Sequence, residues 1–562
     1  MSSESNSGKS PSQGGGYDWL TPGDLNAFFG LMLDNLTGLF LVVMLLSGFG
    51  FPTDFAIASM VPGTAIGVLV GDLAFVYFAF RLAKKKGSSE VTAMPLGLDT
   101  PSVFGISLFV LGPSFKEGVD ALGLTVEEAA YRTWYIGIWC LVMSGVIKLI
   151  VAPASNLVRR VVPRAGLLGS LAAIALALIS FFPLPEILAN PLPGLVALSI
   201  VLTTLVARVP LPGRVPGTAG ALLIAGGLYY LCCGLGLEGY EFPTIGEVEW
   251  IPTQWMETWE GQWLGAWPDA LAYLPIALPF AIATVIGGID CTESAAAAGD
   301  EYHTPTVIGV EAIATLVAGL CGGVIQTTPY IGHPAYKAMG GRAGYTLFTA
   351  ILIGSAGLVG YFTILNDIIP KPAIYPILVF IGLEITAQSF SATPKRHYAA
   401  VAIACLPALA ALVFNLCQQI LGDTAIRDAG VSISDLSPQF QETFAVISML
   451  AAGFILTSLM WSWALASTID RNLRSAGIVF LACAVFTLFG LIHSPLPGNQ
   501  LFLPLGLDSW GDIVLPSEFR SKVFEFTIGY AFVGFLLIFW GELVPDVRSS
   551  GEESPSEEAS QE

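Results

Sequence analysis

The sequence predicts an all-α polytopic membrane protein: an inverted repeat of seven plus seven transmembrane spans, with about two extra spans at the C-terminal end. Three observations predict it. Hydrophobic residues make up 54% and charged residues 12% of the 562, and the mean hydropathy is +0.71, a balance that a water-exposed surface does not tolerate. Apolar runs of about 17 to 25 residues, the length that crosses a bilayer, recur along the chain. A Trp- and Glu-rich loop, 237–267, follows the seventh run, and because seven is odd the second block enters from the opposite face. Internal similarity supports the division: GLMLDNLTGL in span one and IGGIDCTESA in span eight set Asp34 against Asp290.

The spans fall at 27–49, 54–82, 94–113, 132–151, 164–183, 187–207, 215–236, 268–298, 306–325, 327–340, 343–365, 372–390, 397–421, 442–468, 475–494 and 521–543. The third, with Asp99-Thr100-Pro101, and the tenth, with Pro329, Gly332 and Pro334, cannot keep a continuous helical ladder and read as half helical, half extended. Lys and Arg in short loops test the orientation. With the N-terminus inside, the inner loops hold Arg81 and Lys84–Lys86, then Arg159, Arg160 and Arg164, then Arg208 and Arg214, Arg342, Lys395 and Arg396, and Arg471 and Arg474. The outer connections are acidic. Both termini are therefore expected to be cytoplasmic, in the cell membrane. The expected organisation is a disordered tail at 1–25, a first repeat at 26–236, an extracellular loop at 237–267, a second repeat at 268–470, two further spans within 471–545 and a disordered tail at 546–562. The loop tryptophans read as interfacial anchors.

A net charge of -19 sits in tails and loops and argues against nucleic acid binding. The eight cysteines lie in or beside apolar runs without metal-ligand spacing and read as packing residues. No metalloprotease H-E-x-x-H, nucleophile elbow or phosphate-binding loop is present, so neither an enzyme nor a cofactor or metal site is indicated. What remains is intramembrane polarity, which is expensive and therefore functional by default. Asp290, Glu293 and Ser294 share one helical face. Asp290, Glu293, His333, Glu311 and Asp34 are candidates for proton coupling, since burial brings a carboxyl toward neutrality and histidine titrates near neutral pH. Asp290, Glu293, Gly332, His333, Asp99, Thr100 and Tyr330 form the expected substrate site, where the two broken spans meet, with Asp99 or its neighbours facing His333.

From Glu311 to Gly344, including TTPYIGHPAYKAMGGRAG, and on through IPKPAIYPILVFIGLEI and HYAAVAIACLPALAAL, the chain resembles the adenine/guanine/hypoxanthine permease branch of the nucleobase–ascorbate transporter superfamily. The resemblance extends over about 25–470 and is strongest over 285–415. It implies fourteen core spans, core and gate domains, short strands in spans three and ten, homodimers, and proton-coupled (or Na+-coupled) symport of a purine, xanthine or uracil. It places Asp290 at the family's acidic substrate-binding position. Span ten departs from the pattern, with Gly332 and His333 where the family usually carries a Glu. The alternative reading is an anion transporter of the sulfate or bicarbonate kind on the same fold.

Overall fold

The computed structural model describes residues 17–154, 164–246, 248–330, 332–421, 426, 433–496, 501–505 and 514–543. The chain is a multi-pass membrane protein. Among the described residues nine helices are long and apolar enough to cross a membrane, or up to eleven if two sharply bent pairs count as single spans. Three shorter apolar helices and two discontinuous segments occupy the other expected positions, so each of the sixteen expected spans has a counterpart. The shortfall in long helices has local causes. Span eleven bends by 99° between Gly344–Val359 and Phe362–Ile368, and span fourteen by 75° between Pro438–Ala451 and Phe454–Ile469, where Gly360 and Gly453 take positive φ of 86° and 68° at little steric cost.

The two discontinuous segments define the repeat. In span three a strand, β1 (Leu96–Leu98), leads into a helix beginning Thr100–Ile106. In span ten β2 (Thr327–Pro329) leads into the short helix His333–Ala338. The strands pair antiparallel, Leu96 with Pro329, Gly97 with Thr328 and Leu98 with Thr327, so the two blocks run through the membrane in opposite senses. Around the pair, span one (Gly23–Ser47), span two (Val61–Lys86), span four (Val126–Val151), span eight (Trp267–Ala297), span nine (Thr304–Leu320) and span eleven pack as one group. Spans five, six, seven, twelve, thirteen and fourteen form a second.

Lipid tails give helices no hydrophobic reason to associate, so close packing must hold them. Span two carries the stretch GTAIGVLVG, with Gly63, Gly67 and Gly71 one turn apart. A Cβ at Gly63 would overlap the backbone of Cys321 and Gly323, one at Gly67 would lie 2.7 Å from Ala318 Cβ, and one at Gly71 2.7 Å from Leu96 Cδ1. Span two is thereby pressed directly onto span nine and β1.

Two expectations are corrected. Residues 1–16 and 544–562 lie outside the described residues, as do Arg159, Arg160 and most of 422–432, but the end of the first tail is ordered. Tyr17 Oη donates to Val91 O at 2.7 Å, and Trp19 O accepts from Gly344 N–H at 2.9 Å; span one begins at Gly23. The loop tryptophans divide. Trp250, Trp259 and Trp267 are exposed, whereas Trp255 and Trp263 are buried, because the loop folds into the tight turns Gln254–Glu260 and Gln262–Ala266 over spans four and nine. Trp139 Nε1 donates to Trp263 O at 2.7 Å and Trp259 Nε1 to Leu320 O at 3.0 Å.

The glycine packing predicts a contrast in thermal unfolding of detergent-solubilised protein. Gly63→Ala must displace backbone and should destabilise by about 1–3 kcal/mol. Gly226→Ala in span seven, where a Cβ meets nothing within 4 Å, should be neutral or stabilising by up to about 1 kcal/mol. Equal effects would contradict the packing described.

Candidate functional site

A two-stranded pair inside a membrane leaves both outer edges unpaired, and hydrocarbon offers no water to satisfy them. Asp99 N–H donates to Gln326 O at 3.0 Å and Tyr330 N–H to Pro95 O at 2.8 Å, which turns the polar groups of Leu96, Leu98, Thr327 and Pro329 outward. Side chains from the surrounding helices meet them. Leu96 N–H donates to Asp72 Oδ1 at 3.1 Å, and Leu98 N–H to Asn35 Oδ1 at 3.1 Å. Asn35 Nδ2 donates back to Leu96 O at 3.4 Å. On the β2 edge, Thr327 N–H donates to Thr315 Oγ1 at 3.4 Å, and Cys291 Sγ lies 3.2 Å from Pro329 O; Pro329 has no N–H to satisfy.

The other acceptor on the β2 edge, Thr327 O, takes a hydrogen bond from Lys148 Nζ at 3.0 Å. Lys148 and Glu311 have no side-chain exposure, and Nζ lies 2.8 Å from Glu311 Oε1. A buried ammonium without a countercharge would be prohibitive, so Glu311 is fixed by Lys148 as much as the reverse. Glu311, expected as a coupling residue, is therefore half of an ion pair that secures β2. Asp99 is also committed: its carboxylate caps the helix of span three, accepting from Ser102 N–H at 3.0 Å and from the Ser102 hydroxyl. Gln326 Nε2 lies 3.4 Å from Asp99 Oδ2. Thr100 is buried beside it.

His333 does not face Asp99, contrary to expectation. Asp99 stands opposite Gln326, while His333 Nε2 lies 3.2 Å from Thr92 O and 3.3 Å from Asp300 Oδ2. Extended chain from Thr92 to Asp99 separates the two by on the order of 20 Å. His333 belongs instead to a cluster with Asp300, in the connection between spans eight and nine. Asp300 Oδ2 is 2.7 Å from Lys337 Nζ and accepts from Thr92 N–H at 3.1 Å. Burial pushes the Asp300 carboxyl up, but bonds from His333, Lys337 and Thr92 outweigh it and hold the group below its ordinary value.

Asp34 is placed differently. It is 7% exposed and makes no hydrogen bond or ion pair among the described residues. A methyl at Gly97 would lie 3.5 Å from its Oδ2. Span one packs against span seven and against span twelve, which carries Glu384, both of the other helix group, so span one lies where the groups meet. Tyr330 is half-buried, with its ring centroid 6.1 Å from that of Tyr336, and Gly332 sits between the two rings. In span eight Asp290, Glu293 and Ser294 are half-buried while Cys291, Thr292 and Ala295 on the opposite face are buried. Asp290 and Glu293 each have a partner. Sequence reasoning passed over Lys148, Asp72, Asn35 and Glu384. Lys148 and Asp72 carried a usable signal, a charge inside an apolar run.

No family model and no curated protein matches the chain. Solved structures do. The transmembrane domain of a cyanobacterium bicarbonate transporter, BicA, aligns at 14% identity and a TM-score of 0.43, over 71% of this chain and 96% of that one. SLC26A9 aligns at 11% and 0.46, over 93% and 92%, and the murine SLC26A9 anion transporter in the inward-facing state at 12% and 0.44, over 74% and 69%. The resemblance to nucleobase permeases is corrected accordingly: the matching structures are named as bicarbonate or SLC26A9 anion transporters, not as nucleobase permeases.

Breaking the buried pair, by Lys148→Met or Glu311→Leu alone, should cost about 3–5 kcal/mol, and combining the two should recover most of it. A denaturant double-mutant cycle measures this; additive losses would refute the pairing. Asp300 makes a pH prediction. Its lowered carboxyl contributes stability that is complete above the unfolded value near 3.9 and is lost as pH falls through the folded value. Thermal unfolding between neutral pH and pH 3 should show that loss in the parent, and Asp300→Asn should flatten it.

Proposed function

We propose that the chain is a secondary active transporter for a small anion of the sulfate or bicarbonate kind. The observation that carries this reading is the commitment of the carboxylates. A heterocycle N–H needs an acceptor at the break, yet there Asp99 caps a helix, Glu311 neutralises Lys148 and span ten carries no carboxylate; Asp34, beside Gly97, is assigned to the coupling ion. The same arrangement removes the repulsion an anion would meet. Two discontinuous spans paired at their strands, with small residues packed around them, are the architecture secondary transporters use to hold a site at the midplane. Asp34, without a partner among the described residues and beside Gly97 on a helix that meets both groups, is the carboxylate best placed to carry a coupling proton or Na+; Asp290 is the alternative carrier. The positive-inside pattern supports cytoplasmic termini.

Purified protein should unfold at higher temperature with bicarbonate or sulfate, by the equivalent of about 2.7 kcal/mol at a hundred times Kd, and not with purines or pyrimidines. In proteoliposomes, Asp34→Asn should abolish anion accumulation driven by an ion gradient while leaving exchange. A shift with a nucleobase and none with any anion would overturn the reading. Undiminished accumulation by Asp34→Asn would move coupling to Asp290.

A further inference from the structure

A cavity of about 870 Å³ lies away from the strand pair. It lies at the far end of span three, between that helix and span thirteen, bordered by the connections from spans one to two, three to four and fifteen to sixteen. Phe109 forms part of its wall, ten residues along from Asp99, or about 15 Å at the helical rise. Below it, aromatic contacts join span three to the second helix group: Phe109 meets Phe454 at 5.2 Å, and Phe104 meets Phe182 at 6.1 Å between ring centroids.

Among the described residues, one cation lines this space without a partner. Lys116 is partly buried and makes no hydrogen bond or ion pair among the described residues. Its neighbour Glu117 does not neutralise it, because that carboxylate is held by Arg132 Nη2 at 3.1 Å and by the Tyr273 hydroxyl at 3.2 Å. Asp120, the cavity's acidic residue, has its own partner. Across the cavity span thirteen presents amides: Asn415, Gln418 and Gln419, with Gln419 Nε2 reaching Asn415 Oδ1 at 3.4 Å. An ammonium facing uncharged amide donors within low-dielectric aromatic walls concentrates negative charge. The amides supply N–H groups without adding charge.

We propose that this cavity is a second anion-binding site, a vestibule in which Lys116 and the span-thirteen amides capture the anion before it reaches the strand pair. It rests on the anion reading for its role in transport, though not for its occupancy. Binding there is tested on the protein in lipid nanodiscs, by the rate at which a water-soluble N-hydroxysuccinimide ester modifies the Lys116 amine, read by peptide mass spectrometry. Sulfate or bicarbonate should slow the reaction about threefold when present at twice Kd, the factor 1 + [L]/Kd, relative to gluconate at equal ionic strength. Lys522, which is exposed and pairs with Glu525 at 3.2 Å, should react equally in all three. In a parallel uptake assay Lys116→Gln should raise KM several-fold with kcat within about twofold, as expected for lost ground-state binding, while Lys116→Arg should stay near the parent. Protection in a protein that takes up no anion would keep the site and sink the transport reading. No selective protection of Lys116, or a Lys116→Gln KM equal to the parent's, would overturn the vestibule even if anion uptake is robust.

Discussion

A backbone N–H or C=O held in hydrocarbon has no water to turn to, and each one left unsatisfied costs several kcal/mol. Placing a two-stranded pair among membrane helices incurs that cost at both outer edges, and much of the polar chemistry in the first helix group answers it. Asn35 and Asp72 serve β1; Thr315 and Lys148 serve β2. Once Lys148 supplies a hydrogen bond to Thr327 O, its charge requires Glu311, and spans four and nine are tied together beside the strand they support.

This dependence separates structural from functional polarity. Intramembrane charge is a fair pointer to function, but in this chain Asp72, Asp99, Lys148 and Glu311 hold the broken backbone in place. Their commitment sets apart Asp34, a carboxylate on span one that supports no backbone group among the described residues and lies beside Gly97. It also bears on the cargo, because acceptors used internally are not offered to a ligand. The small residues of span two follow from the same need: only glycine lets a helix approach the strand pair and the end of span nine closely enough for these short bonds to form.

Two polar centres flank the strand pair. Asp300, His333, Lys337 and Thr92 form a cluster where span ten's helix meets the connections from spans two to three and eight to nine. On the other side, Lys116 and the amides of span thirteen line the large cavity. Between cavity and strands, aromatic rings of span three meet rings of the second helix group, Phe109 with Phe454 and Phe104 with Phe182.

Several features were determined by the sequence alone. Apolar length marked the spans, Pro and Gly marked the breaks in spans three and ten, and helical spacing put Asp290, Glu293 and Ser294 on one face, because these follow from local geometry and from the bilayer's thickness. Span two's Gly63, Gly67 and Gly71 were legible as well, though passed over. The partners required the tertiary structure. His333 and Asp99 looked like opposite walls of one site because both sit at breaks, yet the antiparallel register sets His333 against Thr92 and Asp99 against Gln326. Nothing in the sequence joins Lys148 to Glu311, 163 positions apart. Whether a buried charge is free for a substrate or already used depends on which groups from distant spans arrive beside it, and only the packing of the whole chain decides that.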